Sequence, residues 1–294
     1  MQGKRFVARP AAGSYPLPAV LQQCRPRCRI PNANTATAAS LTTLVGMTWV
    51  DAHCHLQLAD EDAATLLARA ESVDWVVVPG IDAATTRAAL ALAAAIPGRV
   101  FATAGLHPHD AIKWADERDE ISRLATRSVA IGEIGLDYYR DLSPREAQRE
   151  AFRDQLRLAD ELDLPAVVHC RDAFADVYEI VGETGTADRV VLHCWTGGPR
   201  WTKRFLEIGA RFSFAGPVAF ETGDTVRRGA ALVPPERATV ETDTPYLSPP
   251  PFRKEPNEPA RVALVGEALG RVWGMDPVQV AAITSSNAAR IYRP

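Results

Sequence analysis

The sequence has no uninterrupted apolar run of the roughly 18 residues that would suggest a membrane-spanning helix, so no membrane association is expected. Cysteine is scarce: there are five, and their spacing does not suggest an extracellular disulfide framework. Cys24 and Cys28 form a C-x-x-x-C pair with no second ligand pair nearby. Cys54, Cys170 and Cys194 each adjoin a histidine on an expected strand, where alternation turns them to the other face as small buried thiols. This cysteine usage places the protein in the cytoplasm, and no obligate protein partner is indicated. No Gly-rich turn follows the first expected strand, which argues against a dinucleotide-binding open sheet.

Residues 1–46 contain no Asp or Glu, but they do contain Lys4, Arg5, Arg9, Arg25, Arg27 and Arg29. They also lack apolar periodicity. An organelle transit peptide, a basic tail contacting nucleic acid, and a disordered or mis-assigned extension before a true start at Met47 all fit this composition. Pro16 and Pro18 interrupt its only apolar stretch, which excludes a secretory signal. Without this segment 27 basic side chains face 36 acidic ones, a net of −9. Such a domain does not grip long duplex DNA through a broad basic face. An anionic substrate must be held locally, by metal ions and a few arginines.

The domain expected over residues 47–294 alternates short apolar runs with helical stretches. Strands are expected at Thr48–His53, Trp75–Pro79, Val100–Gly105, Ser128–Glu133, Pro165–His169, Arg189–His193, Arg211–Ala215 and Ala238–Asp243. Helical patterns lie between them, among them Asp82–Ile96, which Pro97-Gly98 stops, and a start at Ser143-Pro144-x-Glu146. The last helix is expected at Pro277–Thr284. Eight such units in ~250 residues predict a single-domain α/β fold, a (β/α)8 TIM barrel.

A barrel of this kind places its chemistry at the C-terminal ends of its strands. The chain has six histidines, and all of them fall at or just after expected strand ends. His53 and His55 lie on the first strand, where alternation puts Asp51 on the same face. His107 and His109 follow the third strand, His169 ends the fifth and His193 the sixth. Glu133 ends the fourth strand and Asp243 the eighth. Imidazoles with carboxylates suit one or two divalent ions, zinc or manganese rather than magnesium alone. Glu133 is placed to bridge two ions, and Asp243 can bind an ion and also take a proton from water.

Eight motifs in order, DAHCHL, GLHPH, GEIGLDYY, HCRDA, HCWTGG, SFAGPVAF, ETDTPYLSP and RKEPNEPARV, resemble the TatD family of metal-dependent deoxyribonucleases. That family belongs to the amidohydrolase-like barrel group. The resemblance runs from about Trp49 to Arg290. It implies metal ligands at His53, His55, Glu133, His169, His193 and Asp243, and hydrolysis of phosphodiester bonds at the 3′ ends of DNA. Trp195 stands where the family often has Phe.

Arg171, two residues after His169, can reach a phosphate or pair with Asp172 or Asp176. His107 can donate to substrate or support a ligand. Tyr138, Trp195 and Tyr246 lie past strand ends, where they can stack bases or pack on the rim. Arg253 and Lys254 can contact phosphate or remain a solvated charge pair. The reading is a DNA exonuclease using two divalent metal ions, with Glu133 and Asp243 catalytic and Arg171, His107 and Trp195 at the substrate. An amide, lactone or small phosphoester hydrolase with the same ligands is the alternative enzyme. A metal-binding scaffold recruited through residues 1–46 is the non-catalytic one.

Overall fold

The computed structural model describes residues 48–294. The N-terminal extension, with Cys24 and Cys28, lies outside the described residues. Eight parallel strands follow chain order around one sheet. They are β1 (Trp49–Asp51), β2 (Val73–Val78), β3 (Val100–Ala104), β4 (Ala130–Asp137), β5 (Ala166–Arg171), β6 (Val190–Leu192), β7 (Arg211–Phe214) and β8 (Ala238–Val240). The ends of the sheet meet where the Ala52 N–H donates to the Val240 carbonyl at 3.0 Å and the Asp243 N–H to the His53 carbonyl at 2.9 Å. The side chain of Asp51 reinforces this seam by accepting from the Thr242 N–H at 2.9 Å and the Thr242 hydroxyl at 2.6 Å. The fold is a (β/α)8 TIM barrel.

Among the described residues, nine α-helices pack on the strands: α1 (Ala63–Arg69), α2 (Ala83–Ala95), α3 (Trp114–Ala125), α4 (Arg145–Glu161), α5 (Phe174–Thr184), α6 (Pro199–Glu207), α7 (Asp224–Ala230), α8 (Val262–Trp273) and α9 (Pro277–Tyr292). Local chemistry starts several of them. Asp82 caps α2 and Asp276 caps α9, each in a capping box with the residue three positions on. Among the described residues, no helix is long and apolar enough to cross a membrane.

Strand alternation divides the core in two. Outward residues such as Trp49, Val76, Ile131, Leu136, Phe212 and Phe214 pack under the helices. Inward residues Val50, Ala52, Trp75, Val77, Val167 and Val191 fill the barrel, joined from α9 by Ala288, Ile291 and Tyr292. Asn287 of α9 donates to the Pro235 and Ala238 carbonyls at 2.8 and 2.7 Å, at the start of β8, so α9 plugs the N-terminal end.

Several expected boundaries move. The first and last strands stop at Asp51 and Val240, short of His53 and Asp243. Asp51 therefore shares the outward face of Trp49 rather than the face of the histidines. β4 runs on to Asp137, and α9 continues to Tyr292. α4 is not capped by Ser143, whose hydroxyl donates instead to the His109 carbonyl at 2.7 Å.

Candidate active site

β4 and β5 carry the centre of the site. Their pairing shifts register between Ile131 and Ile134, and this shift turns Glu133 into the barrel. Without it, alternation would put Glu133 on the outward face of Ile131. Gly135 is required here: its φ is +132°, and a Cβ would lie 2.1 Å from the His169 carbonyl oxygen. His169, two residues after inward Val167, points into the barrel by simple alternation, and Arg171 continues the same face.

The other groups arrive on loops. His53 and His55 follow β1, His193 follows β6 and Asp243 follows β8. Asp243 has a φ of +60°, a left-handed conformation that Asp tolerates better than most residues. It is held by the closing hydrogen bond to His53 and by its own carbonyl, which accepts from the Tyr246 N–H at 2.8 Å.

These residues meet around Glu133, and its two oxygens face different histidine pairs. Oε2 lies 3.4 Å from His53 Nε2 and 3.6 Å from His55 Nε2. Oε1 lies 2.8 Å from His169 Nδ1 and 2.9 Å from His193 Nε2. Asp243 Oδ1 completes the first group, 3.4 Å from His55 Nε2 and 3.8 Å from His53 Nε2. His53 and His55 bring their Nε2 atoms within 3.2 Å of each other, and the His53 ring stacks on that of His193 with centroids 4.0 Å apart. Burial, with the charge of His193, holds His53 below the ordinary histidine value and so favours the neutral, lone-pair form. Burial alone would raise the Glu133 carboxyl, but His193, His107 and His169 outweigh it and keep it well below the usual range.

Facing imidazole nitrogens that share carboxylate neighbours form a donor set that fits divalent cations. The groups His53–His55–Asp243 and His53–Glu133–His193 each bring one donor atom per residue within 4.8 Å of the others. A third such group, His107–Glu133–His169, differs chemically. His107 Nδ1 accepts the His109 N–H at 3.2 Å, so its proton sits on Nε2, which faces Glu133 Oε1 at 3.4 Å. Burial pushes His107 down to about 4, which keeps the ring neutral. It supports Glu133 and also lines the cavity.

Two carboxylates that sequence reasoning passed over orient the histidines. Glu241 is buried and approaches His193 Nδ1 at 3.1 Å, while it also accepts the Cys194 N–H at 2.7 Å. With Nδ1 engaged there, His193 presents Nε2 to Glu133 at the centre. Asp137 Oδ2 lies 3.2 Å from His169 Nε2 and 3.0 Å from His109 Nε2. Its Oδ1 accepts the N–H groups of Tyr139 and Arg140 at 3.0 and 2.8 Å. The only sequence signal for either residue is an acid next to or near a motif residue, in GLDYY and ETD.

Above the centre opens a cavity of about 780 Å³, lined by His55, His107, Glu133, Arg171, Asp243 and Tyr246 among others. Arg171 makes no ion pair among the described residues, and its guanidinium lies 4.0 Å over the Tyr139 ring. Asp176, its expected alternative partner, is taken by Arg149 at 2.8 Å and by the Tyr138 hydroxyl at 2.6 Å. Arg253 donates to the Ser248 carbonyl at 2.8 Å and stacks 3.6 Å over Phe220, another lining residue.

Trp195 departs from expectation. It is 2% exposed, donates to the Thr202 hydroxyl at 2.9 Å and packs edge-on against Phe174, Phe205 and Phe212. It is a core residue, because the chain turns it under α6 instead of over the mouth. Cys194 also departs: it is half-buried at φ +42° and borders the cavity, whereas Cys54 and Cys170 are buried as expected. Burial raises all three thiols above the ordinary cysteine value, so none is primed as a nucleophile.

Residues 50–293 match the family described as TatD related DNase. The YabD protein of Bacillus subtilis (strain 168), described as an uncharacterized metal-dependent hydrolase, is 37% identical over 252 residues, which is 83% of this chain and 98% of that protein. The 3′-5′ ssDNA/RNA exonuclease TatD of Pectobacterium parmentieri (strain WPP163) is 34% identical over 248 residues, 80% of this chain and 94% of its own length. The crystal structure of YJJV, a TatD homologue from Escherichia coli K12, superposes with a TM-score of 0.78 at 26% identity, covering 84% of this chain and 98% of that one. With the motifs, the barrel and the histidine–carboxylate centre in agreement, the chain belongs to the TatD family of metal-dependent hydrolases.

Proposed function

We infer that this enzyme hydrolyses phosphodiester bonds at the ends of DNA, as a 3′-5′ exonuclease using two divalent ions, zinc or manganese. The observation that carries this is the division of Glu133, with Oε2 toward His53 and His55 and Oε1 toward His169 and His193. A carboxylate shared in this way suits a pair of ions, and a pair suits in-line displacement at phosphorus. His53, His55 and Asp243 would hold one ion and His169 and His193 the other, with Glu133 between them. Such ions polarise a phosphoryl oxygen, acidify water and stabilise the departing 3′ oxygen. The relative named as an ssDNA/RNA exonuclease supports the substrate class.

The protein's own groups have separate tasks. Asp243, whose side chain is 13% exposed toward the cavity, receives the proton of the attacking water on its carboxylate. Arg171 binds a phosphate oxygen through a guanidinium that no described acid occupies. Glu241 and Asp137 hold His193 and His169 in place, and the neutral His107 steadies Glu133. The unpaired thiols Cys54, Cys170 and Cys194 are in keeping with the reducing cytoplasm.

End-labelled single-stranded DNA, incubated with the metal-stripped protein and then with manganese or zinc restored, tests the reading. Stepwise shortening from the 3′ end is expected only with metal, and elemental analysis should give close to two equivalents per chain. DNA left intact at every metal concentration would overturn it.

A further inference from the structure

We propose that Tyr139 is a stacking platform for a nucleobase flanking the scissile phosphate, so that the site accepts unpaired ends. This rests on the phosphodiesterase reading above and assigns a base subsite to it. Tyr139 is 62% exposed. Single exposed aromatic side chains are ordinary on protein surfaces, but this one is held in place. Its backbone N–H is pinned by Asp137 Oδ1 at 3.0 Å, and the other oxygen of Asp137 contacts His169 in the metal-ligand set. One ring face is covered by the Arg171 guanidinium at 4.0 Å, and Arg171 lines the cavity above Glu133. The exposed remainder of the ring thus lies beside the cation that can grip a phosphate.

Two neighbouring aromatics are already engaged. Tyr138 donates its hydroxyl to Asp176 and carries Arg145 4.2 Å over its ring. Trp195 is in the core. Tyr246, 52% exposed, follows β8, and in an eight-stranded barrel that is the rim opposite β4. Tyr139 and Arg171 therefore supply, on one side of the mouth, the two contacts a nucleotide offers: an anionic phosphate and a flat apolar base. A base inside a duplex has both faces covered by its neighbours. The terminal base has one free face, and the next base in reaches Tyr139 only after leaving the stack, so the subsite favours single-stranded termini.

The test crosses the protein with its substrate. Wild type, Tyr139→Phe and Tyr139→Leu, each loaded with manganese, are assayed on single-stranded oligonucleotides that are intact or carry an abasic site at either position flanking the cleaved bond. A deoxyribose phosphodiester that is abasic on both sides of the cleaved bond is the substrate without a base. Wild type and Tyr139→Phe should lose roughly tenfold or more in kcat/KM at one abasic position, mainly through KM, the range that base–aromatic stacking gives. Tyr139→Leu should be slow on the intact strand by a similar factor and nearly indifferent to the abasic site. It should lose much less on the doubly abasic ester. The subsite is wrong if Tyr139→Leu still discriminates against the abasic strand as wild type does, or if it loses activity equally on both substrate types. The abasic comparison in wild type stands even if the leucine variant folds poorly, and equal rates there also overturn the proposal. A wild type that cleaves the ester but no oligonucleotide removes the nuclease reading and the subsite with it.

Discussion

The two ends of this barrel use the same eight strands for opposite purposes. At the end that α9 covers, Val50, Ala52, Trp75, Val77, Val167 and Val191 close on Ala288, Ile291 and Tyr292 in an apolar plug. A few residues further along, the inward positions are polar: His53, Glu133 and His193 are buried and His169 is partly buried. The lower end stabilises the fold by removing apolar surface from water. The upper end places lone pairs and charge where burial opposes them, and it holds together because each group faces a partner. Stability and chemistry are thereby separated along the barrel axis, and each can be perturbed with little effect on the other.

Glu133→Gln should break the upper end most severely. The amide keeps the shape but loses the charge that five histidines face. A loss of roughly a thousandfold in kcat/KM is expected, about 4 kcal/mol of transition-state stabilisation, together with reduced metal content by elemental analysis. A variant that kept both near wild type would show that Glu133 is not the shared group.

Ile291→Ala attacks the lower end. A buried isoleucine cut to alanine costs about 2–5 kcal/mol, to be read as a lowered urea midpoint. Turnover per folded molecule at low temperature should match wild type. Lost turnover with unchanged stability would mean that the plug and the mouth are coupled, and the comparison would fail.

Arg171→Ala should have the smallest effect and sharpens the contrast within the mouth. Losing a charge-assisted contact to phosphate is worth roughly 1.5–3 kcal/mol, or about ten- to a hundredfold in DNA cleavage. Metal content should not change, since arginine is not a ligand, and Arg171→Lys should restore only part of the rate. DNA cleavage at the wild-type rate with metals in place would leave the guanidinium with no role beyond stacking on Tyr139.

The sequence by itself determined the barrel and the level at which its polar residues lie. Both follow from local signals: apolar runs of strand length, helical periodicity between them, and stop signals such as Pro97-Gly98. That the histidines, Glu133 and Asp243 would gather at one end also followed, because parallel strands in chain order bring all their C-terminal ends together. Only the tertiary structure decided how the side chains point once the strands stop. His53, His55, His193 and Asp243 lie beyond the last residue of their strands, where alternation no longer applies and a left-handed turn at Asp243 sets direction. Glu133 faces inward through a register shift that depends on the partner strand. Trp195 reads like a rim aromatic but is buried against Phe205 and Phe212. Glu241 meets His193 48 residues away, and Asp51 meets Thr242 191 residues away. Such pairings form between segments that are neighbours only in the closed barrel, so closure of the sheet, and not local preference, completes the site.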